Sequence, residues 1–233
     1  WTISAPDGVE SGGERCLELA RKWSRPGLAV INKIDRPHDL QSLMEQLQRS
    51  GMGATPVLLQ MPFRDEAGQV VGLVDLLSHQ VLRYHDGGQG QYSVEPVPAR
   101  IELEVAALME RAVEAVALTD DSLLERYLEY LSLEKSDFRQ GLVNAISRKK
   151  VLPVFLMSAE SGIGAAPLLD FVTWGLPSTT MPTLTQEQVW PANAATVLAT
   201  GVDASNNMFQ VVRLWGTADK RGGHWTNARS GEK

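Results

Sequence analysis

The sequence predicts an α/β protein in which a parallel sheet is interrupted by an α+β insertion and followed by a separate β-rich segment. Three observations support this. Residues 1–62 alternate between helix-like and strand-like patterns, residues 63–149 change to paired strands followed by helices, and an apolar strand-like run resumes at residue 151. Because alternating strands and helices are typical of a parallel sheet covered by helices, we predict that the insertion interrupts such a sheet.

The first part of the chain contains two helical patterns and two strand-like runs, after an opening that is typical of a strand end. Residues 10–23 place Cys16 on an apolar helical face, so we predict a thiol in the core. The run LAVI (28–31) is continuous apolar sequence between breakers, as expected of a strand covered on both faces. Residues 39–51 predict a second amphipathic helix, and residues 55–62 predict another strand.

Residues 63–149 predict the insertion subdomain. VVGLVDLL (70–77) and QVLRYH (80–85) are typical of two strands of a small antiparallel unit, and DGGQGQ (86–91) is typical of a hairpin tip or loop. Three helical patterns follow, at residues 99–118, 120–131 and 136–149.

The chain then returns to the first domain over residues 150–177. Residues 178–193 are rich in Thr, Pro and Gln without an apolar period, which is typical of an interdomain linker. Residues 194–233 predict the beginning of another domain. The elements predicted in these parts are a strand at 151–159, a helix at 166–177, strands at 194–202 and 208–216, and turns over 217–233.

The composition of the chain argues against several classes of protein and of site. The chain has 233 residues and a formal net charge of −6, which argues against a protein whose main surface binds nucleic acid. Its single cysteine rules out an internal disulfide, and no apolar stretch approaches the roughly 20 residues that span a bilayer. Four dispersed histidines share no ligand spacing, so we predict no metal site. Because Trp1 opens the chain in the middle of a predicted element, we expect a fragment of a longer protein.

Polar side chains follow the apolar run 28–31 directly, as Asn32, Lys33 and Asp35. Ligands of open α/β sheets bind at the carboxyl ends of the strands. A carboxylate there can accept two parallel hydrogen bonds from guanine, which presents a ring N1–H beside an amino group. Adenine lacks this pair of donors, so the carboxylate would discriminate between the bases by roughly 1–3 kcal/mol. On spacing alone a polar loop without function remains an alternative.

A second loop strengthens the guanine hypothesis. Ser158 and Ala159 follow the strand-like run 151–157, as Asn32 follows its own strand. Small residues at this point would let backbone N–H groups approach a base carbonyl. Two such loops on strands predicted to be neighbours indicate a pocket for a base.

Three segments, DGVESGGERCLELARKWSRPGLAVINKIDRP (7–37), VVGLVDLL (70–77) and LPVFLMSAESGIGAAPLLDFVTWGLPS (152–178), resemble translation elongation factor G, a translational GTPase. The resemblance implies a partial P-loop-GTPase-type sheet in residues 1–62 and 150–177, and the start of a β-barrel domain at 194. It also implies that NKxD reads the guanine of GTP or GDP, through Asn32, Lys33 and Asp35, while Ser158 and Ala159 contact its carbonyl oxygen.

The departures from the family limit what this chain does alone. The phosphate loop G-x-x-x-x-G-K-[ST] does not occur in these residues. We expect the family's D-x-x-G element, which senses the γ-phosphate, and its water-orienting His to lie before Trp1. Mg²⁺ is accordingly expected only in the intact parent. The chain by itself is predicted to hydrolyse no GTP. Where the family usually has a basic residue after SA, this chain has Glu160 and Ser161.

The resemblance also implies partners and a location. A translocation factor acts on the ribosome in the cytoplasm, and the insertion subdomain would offer a docking surface for the ribosomal stalk protein. We expect a monomer and no membrane contact. Two alternatives remain open: an elongation-factor-like or ribosome-protection paralogue, and a non-catalytic module that binds the ribosome or another partner.

Overall fold

The computed structural model describes residues 1–22, 26–50, 53–85, 90–176, 194–202 and 206–215, and it divides the chain into two compact units, Trp1–Pro177 and Ser178–Lys233. The first half of the first unit contains β1 (Thr2–Ser4), α1 (Ser11–Lys22), β2 (Ala29–Asn32), α2 (Leu40–Arg49), β3 (Thr55–Leu58), β4 (Gln60–Arg64), β5 (Val70–Asp75), β6 (Gln80–Tyr84) and β7 (Tyr92–Pro96). The second half contains a 3₁₀ turn (Ala99–Ile101), α3 (Glu102–Ala117), α4 (Asp121–Tyr130), α5 (Lys135–Ser147), β8 (Val151–Met157) and α6 (Ala165–Gly175).

A parallel four-stranded sheet with the order β1-β2-β8-β3 forms the centre of the first unit. Its strands are apolar on both faces because helices and the second sheet cover them, and Ile31, Val154 and Leu156 are fully buried. β8 lies beside β2 although the insertion separates them in the chain, with Asn32 opposite Met157. The α/β prediction is therefore confirmed, and the ends of β2 and β8 lie at the same edge of the sheet.

The predicted strand 55–62 is divided between two sheets. β3 pairs with β8 in the parallel sheet, whereas β4 pairs with β5 in an antiparallel sheet of order β4-β5-β6-β7. Leu59 joins them without a loop: its N–H donates to Val154 O at 3.1 Å, and its carbonyl accepts from Leu76 N at 3.1 Å. The buried side chain of Gln60 continues this pattern, since its Oε1 accepts from Leu156 N at 3.0 Å. The sequence of residues 55–62 predicted one continuous strand and did not indicate that the chain changes sheet at Leu59.

Helix α3 packs against both sheets. Its buried Val105 contacts a cluster on the antiparallel sheet, while Ala112 and Val116 join a cluster that includes Phe155 of β8 and Phe171 of α6. The rings of Phe155 and Phe171 lie 4.7 Å apart between centroids. The spacing of buried residues along α3 follows the helical period that predicted it.

Helix α1 forms where its periodicity predicted, but the prediction of a buried Cys16 is wrong, because this thiol is exposed. Most described side chains of α1 are exposed as well. The apolar period identifies a helix but does not say how much of its face the neighbouring elements cover.

The second unit contains an antiparallel pair, β9 (Ala194–Val202) and β10 (Met208–Trp215), with an irregularity between Val211 and Val212. Both strands were predicted. The predicted linker 178–193, the turn-rich residues 217–233 and most of the hairpin tip, residues 86–89, lie outside the described residues. A β-barrel at this point, and the domain boundaries as a whole, stay predictions.

Candidate functional site

The two predicted loops lie side by side at the carboxyl edge of the parallel sheet. We call residues 32–35 the NKID loop and residues 158–164 the SAESGIG loop, after their sequences. Parallel pairing of β2 with β8 places them next to each other, although 127 residues separate Asn32 from Ala159. The five predicted site residues are thus on two adjacent loops.

A side-chain hydrogen bond joins the loops directly. Ala159 N–H donates to Asn32 Oδ1 at 3.0 Å, and Ile34 N–H donates to Met157 O at 3.3 Å. The carbonyl of Asn32 in turn accepts from Ala5 N, at the end of β1, at 2.8 Å. Asn32 therefore connects three strand ends, through its side chain to the end of β8 and through its backbone carbonyl to the end of β1.

The backbone of the NKID loop turns sharply at Lys33. Its φ of +65° lies in the left-handed region, which L-residues other than Asn and Asp adopt infrequently. The turn brings Arg36 N within 3.0 Å of Lys33 O. The exposed Lys33 Nζ lies 3.8 Å from Asp7 Oδ2, just past the end of β1. Strain of this kind clusters at functional sites.

Ile34 anchors the NKID loop, since its side chain is completely buried. Its two neighbours in the sequence, Lys33 and Asp35, are charged and exposed. The Asp35 side chain is about one-third exposed. Arg36 lies between two carboxylates, with Nε 3.9 Å from Asp35 Oδ2 and Nη2 3.6 Å from Glu160 Oε2. These long ion pairs bind the carboxylates weakly, so Asp35 is accessible to a ligand.

The SAESGIG loop is held by backbone contacts and buried groups. Ser158 is only 1% exposed; its N–H donates to Ile163 O at 2.9 Å and its Oγ accepts from Ser161 N at 3.4 Å. At the other end of the loop, Gly164 N–H donates to the hydroxyl of Tyr84 at 2.9 Å. Burial raises the pKa of the Tyr84 hydroxyl above its usual value of about 10, although the bond from Gly164 acts in the opposite direction. Tyr84 therefore stays neutral at pH 7.

Sequence reasoning missed Asp7, Arg36 and Tyr84. Asp7 could have been found, because it lies shortly after the end of β1, as Lys33 and Asp35 lie shortly after the end of β2. Arg36 is the residue after NKID, so its proximity to Asp35 was also foreseeable. Nothing in the sequence near Tyr84 points to the loop, since 80 residues separate it from Gly164.

The chemistry of this edge suits a planar ligand that presents donors and a carbonyl. Asp35 supplies two acceptor oxygens, Asn32 an amide, and Lys33 an aliphatic stem with a cationic end. Within the described ranges, no three side chains of His, Cys, Asp or Glu lie so that they could hold a metal ion. None of the helices in the described part of the chain has the length and apolar character needed to cross a bilayer.

Comparison with known proteins identifies the family of this chain. Residues 1–178 match the family described as Elongation factor Tu GTP binding domain. Among curated relatives, Elongation factor G 2 of Geobacter metallireducens is 35% identical over 179 residues, and Elongation factor G 1 of Geobacter sulfurreducens is 34% identical over 178 residues. Each of these matches covers 76% of this chain and 26% of the relative, so the chain spans about a quarter of the length of these proteins.

A solved structure gives the same result at the level of the fold. A crystal structure of a protein from Thermus thermophilus superimposes with a TM-score of 0.76 at 29% sequence identity, covering 91% of this chain and 30% of that chain. The sequence match and the fold therefore agree: the chain belongs to the Elongation factor Tu GTP-binding-domain family of translational GTPases and is similar to elongation factor G.

Proposed function

We propose that this chain is the guanine-reading part of a translational GTPase that acts in translation elongation. The observation that carries the proposal is the hydrogen bond from Ala159 N–H to Asn32 Oδ1, which joins the NKID and SAESGIG loops at one edge of the sheet. Beside this bond the Asp35 carboxylate is accessible and only weakly paired. A base entering here would meet both loops together.

Each predicted residue then has a definite role. Asp35 accepts from the N1–H and the amino group of guanine, and Lys33 lays its aliphatic stem along the ring face. Asn32 reaches the base or pins the loops, and the buried Ser158 shapes the turn that presents the Ala159 N–H. Since Ala159 already donates to Asn32, we expect a bound guanine carbonyl to share this donor or take it over.

Hydrolysis needs more than these residues. When bound, the nucleotide supplies the phosphoryl group that a GTPase transfers to water, and this transfer depends on phosphate positioning and Mg²⁺. The sequence of this chain contains no G-x-x-x-x-G-K-[ST] motif. We therefore expect the chain alone to bind GTP weakly and to hydrolyse none, while the full-length protein supplies the phosphate contacts and the Mg²⁺ site.

The wider setting follows from the relatives. Their names are those of elongation factors, and we extend this to the present protein as a cytoplasmic factor that acts as a monomer on the ribosome. The domain boundaries proposed from the sequence, with an insertion at 63–149 that docks to the stalk protein, are part of the same proposal.

The test is base selectivity in the full-length protein. Asp35→Asn replaces one acceptor oxygen by a donor, which suits xanthine, because xanthine has a carbonyl where guanine has its amino group. We expect GTP binding to weaken by roughly 1–3 kcal/mol, and xanthosine triphosphate to gain relative to GTP. Calorimetric titration of both nucleotides against wild type measures the change in the ratio.

Asp170→Asn is the matched control, since it makes the same chemical change at an exposed position on α6. It should leave the ratio of the two affinities as in wild type. An Asp35→Asn protein with an unchanged ratio would show that Asp35 does not read the base. A wild-type protein that binds neither nucleotide would favour the non-catalytic module.

A further inference from the structure

One side chain of the antiparallel sheet contacts the end of the SAESGIG loop. Tyr84 ends β6, is only 8% exposed, and accepts the hydrogen bond from Gly164 N–H at 2.9 Å. Its ring packs against Tyr92 of β7, with 5.2 Å between ring centroids. The hydroxyl is thus held at a defined place, and it belongs to a different sheet from the two loops.

The backbone at Gly164 lies close to its neighbours. Its φ is +83°, and a Cβ at this position would lie 2.1 Å from Leu156 O and 3.2 Å from Leu73 Cδ1. The backbone therefore lies between β8 and the antiparallel sheet. Close approach occurs at Gly90 too, where a Cβ would be 3.2 Å from Gly162 O. The end of the SAESGIG loop is in contact with the β6–β7 hairpin at two points.

Two hydrogen bonds and the intervening backbone connect Tyr84 to Ala159, whose N–H is the proposed donor to the base. Tyr84 holds Gly164, and the neighbouring Ile163 accepts from Ser158 N at 2.9 Å through its carbonyl. Ser158 is buried and precedes Ala159, whose N–H is directed at Asn32. A shift of Gly164 would move Ile163, and with it the start of the loop.

We infer that Tyr84 is a positioning residue for guanine recognition, because its hydroxyl holds the SAESGIG loop in the conformation that presents Ala159 N–H to the base carbonyl. The inference rests on the proposed function and adds a residue of the antiparallel sheet to it. Tyr84 does not touch the base. Its effect is specific to the loop that reads the 6-carbonyl, whereas Asp35 reads the N1–H and the amino group.

The experiment uses the full-length protein and Tyr84→Phe, with Tyr92→Phe as the matched control that removes a hydroxyl from the adjacent ring. GDP is compared with 6-thioguanosine diphosphate, which keeps the N1–H and the amino group but replaces the carbonyl oxygen by a weaker acceptor. We expect Tyr84→Phe to weaken GDP binding about tenfold and to reduce the preference for GDP over the thio analogue by about threefold to tenfold. Tyr92→Phe should leave this preference as in wild type.

Amide hydrogen exchange, measured by mass spectrometry on a peptide covering residues 158–164 without nucleotide, tests the positioning by itself. We expect faster exchange in Tyr84→Phe than in wild type for this peptide, and unchanged exchange in peptides from α2. Unchanged exchange of the loop peptide would overturn the inference. A uniform increase over the whole protein would also overturn it, because it would show general destabilisation only.

Failure of the proposed function is distinguishable from failure of this inference. If wild type binds no guanine nucleotide, the proposed function is wrong, and the exchange measurement still decides whether Tyr84 holds the loop. If wild type binds GDP and Tyr84→Phe leaves both the preference and the loop exchange unchanged, only the role of Tyr84 is wrong.

Discussion

The NKID loop and the SAESGIG loop follow adjacent strands of one sheet, yet they are stabilised in different ways. The NKID loop exposes its charged side chains and has one buried side chain, Ile34, in addition to the hydrogen bonds of Asn32 and of its backbone. Its ion pairs are long, at 3.8 and 3.9 Å. The SAESGIG loop buries Ser158, Ile163 and Gly164, and is held by hydrogen bonds of backbone groups and the Tyr84 hydroxyl.

This difference predicts that substitutions in the two loops have different effects on ligand binding and on stability. Under the proposed function, the charged side chains of the NKID loop face the base, so a substitution of Lys33 or Asp35 should change selectivity with little effect on folding. In the SAESGIG loop the proposed contact is through the backbone, which side chains can influence only through packing. Substitutions in that loop should therefore change stability and position together.

The largest expected effect is that of Gly164→Ala. A side chain at φ of +83° costs roughly 1–2 kcal/mol, and its Cβ would overlap Leu156 O, which forces further backbone movement at a cost of about 1–3 kcal/mol. We expect the free energy of unfolding, measured by urea denaturation with circular dichroism, to fall by about 2–5 kcal/mol.

Gly12→Ala is the matched control for this substitution. Gly12 lies in α1, and a Cβ there would meet nothing within 4 Å. Alanine should be neutral or stabilise by up to about 1 kcal/mol, because glycine is unfavourable in a helix. Equal effects of both substitutions would mean that the SAESGIG loop is not tightly packed.

Ile34→Ala tests whether the NKID loop also has a residue that stabilises the fold, because it changes the one buried side chain of this loop. Removing a completely buried isoleucine side chain should cost about 2–5 kcal/mol. Ile34→Val serves as the graded control and should cost about 0.5–1.5 kcal/mol. Both are measured by urea denaturation. If Ile34→Ala costs no more than Ile34→Val, the NKID loop has no anchor of its own.

The smallest expected effect is that of the Arg36–Glu160 pair, which joins the residue after the NKID loop to the SAESGIG loop over 3.6 Å on an exposed surface. Exposed ion pairs of this kind contribute about 0.2–1 kcal/mol and are weakened by salt. Arg36→Ala, Glu160→Ala and the double variant form a cycle whose coupling energy should lie in this range at low salt and decrease at high salt. A coupling energy that is larger and independent of salt would make this pair a structural clasp between the loops.

Much of the fold and the positions of the site residues followed from the sequence by itself. Continuous apolar runs identified β2 and β8, and helical periods identified α1, α2 and α3, because these patterns depend on residues a few positions apart. Asn32, Lys33 and Asp35 were candidates because they follow a strand end, and Ser158 and Ala159 for the same reason. These are local properties, which neighbouring residues determine.

Only the tertiary structure decided the contacts between distant segments. The division of residues 55–62 between two sheets, the exposure of Cys16 and the hydrogen bond from Gly164 to Tyr84 all depend on which elements pack together. The physical reason is that burial and hydrogen bonding are satisfied across the whole unit, so Tyr84 found its partner 80 residues away. No periodicity in the chain records such a pairing.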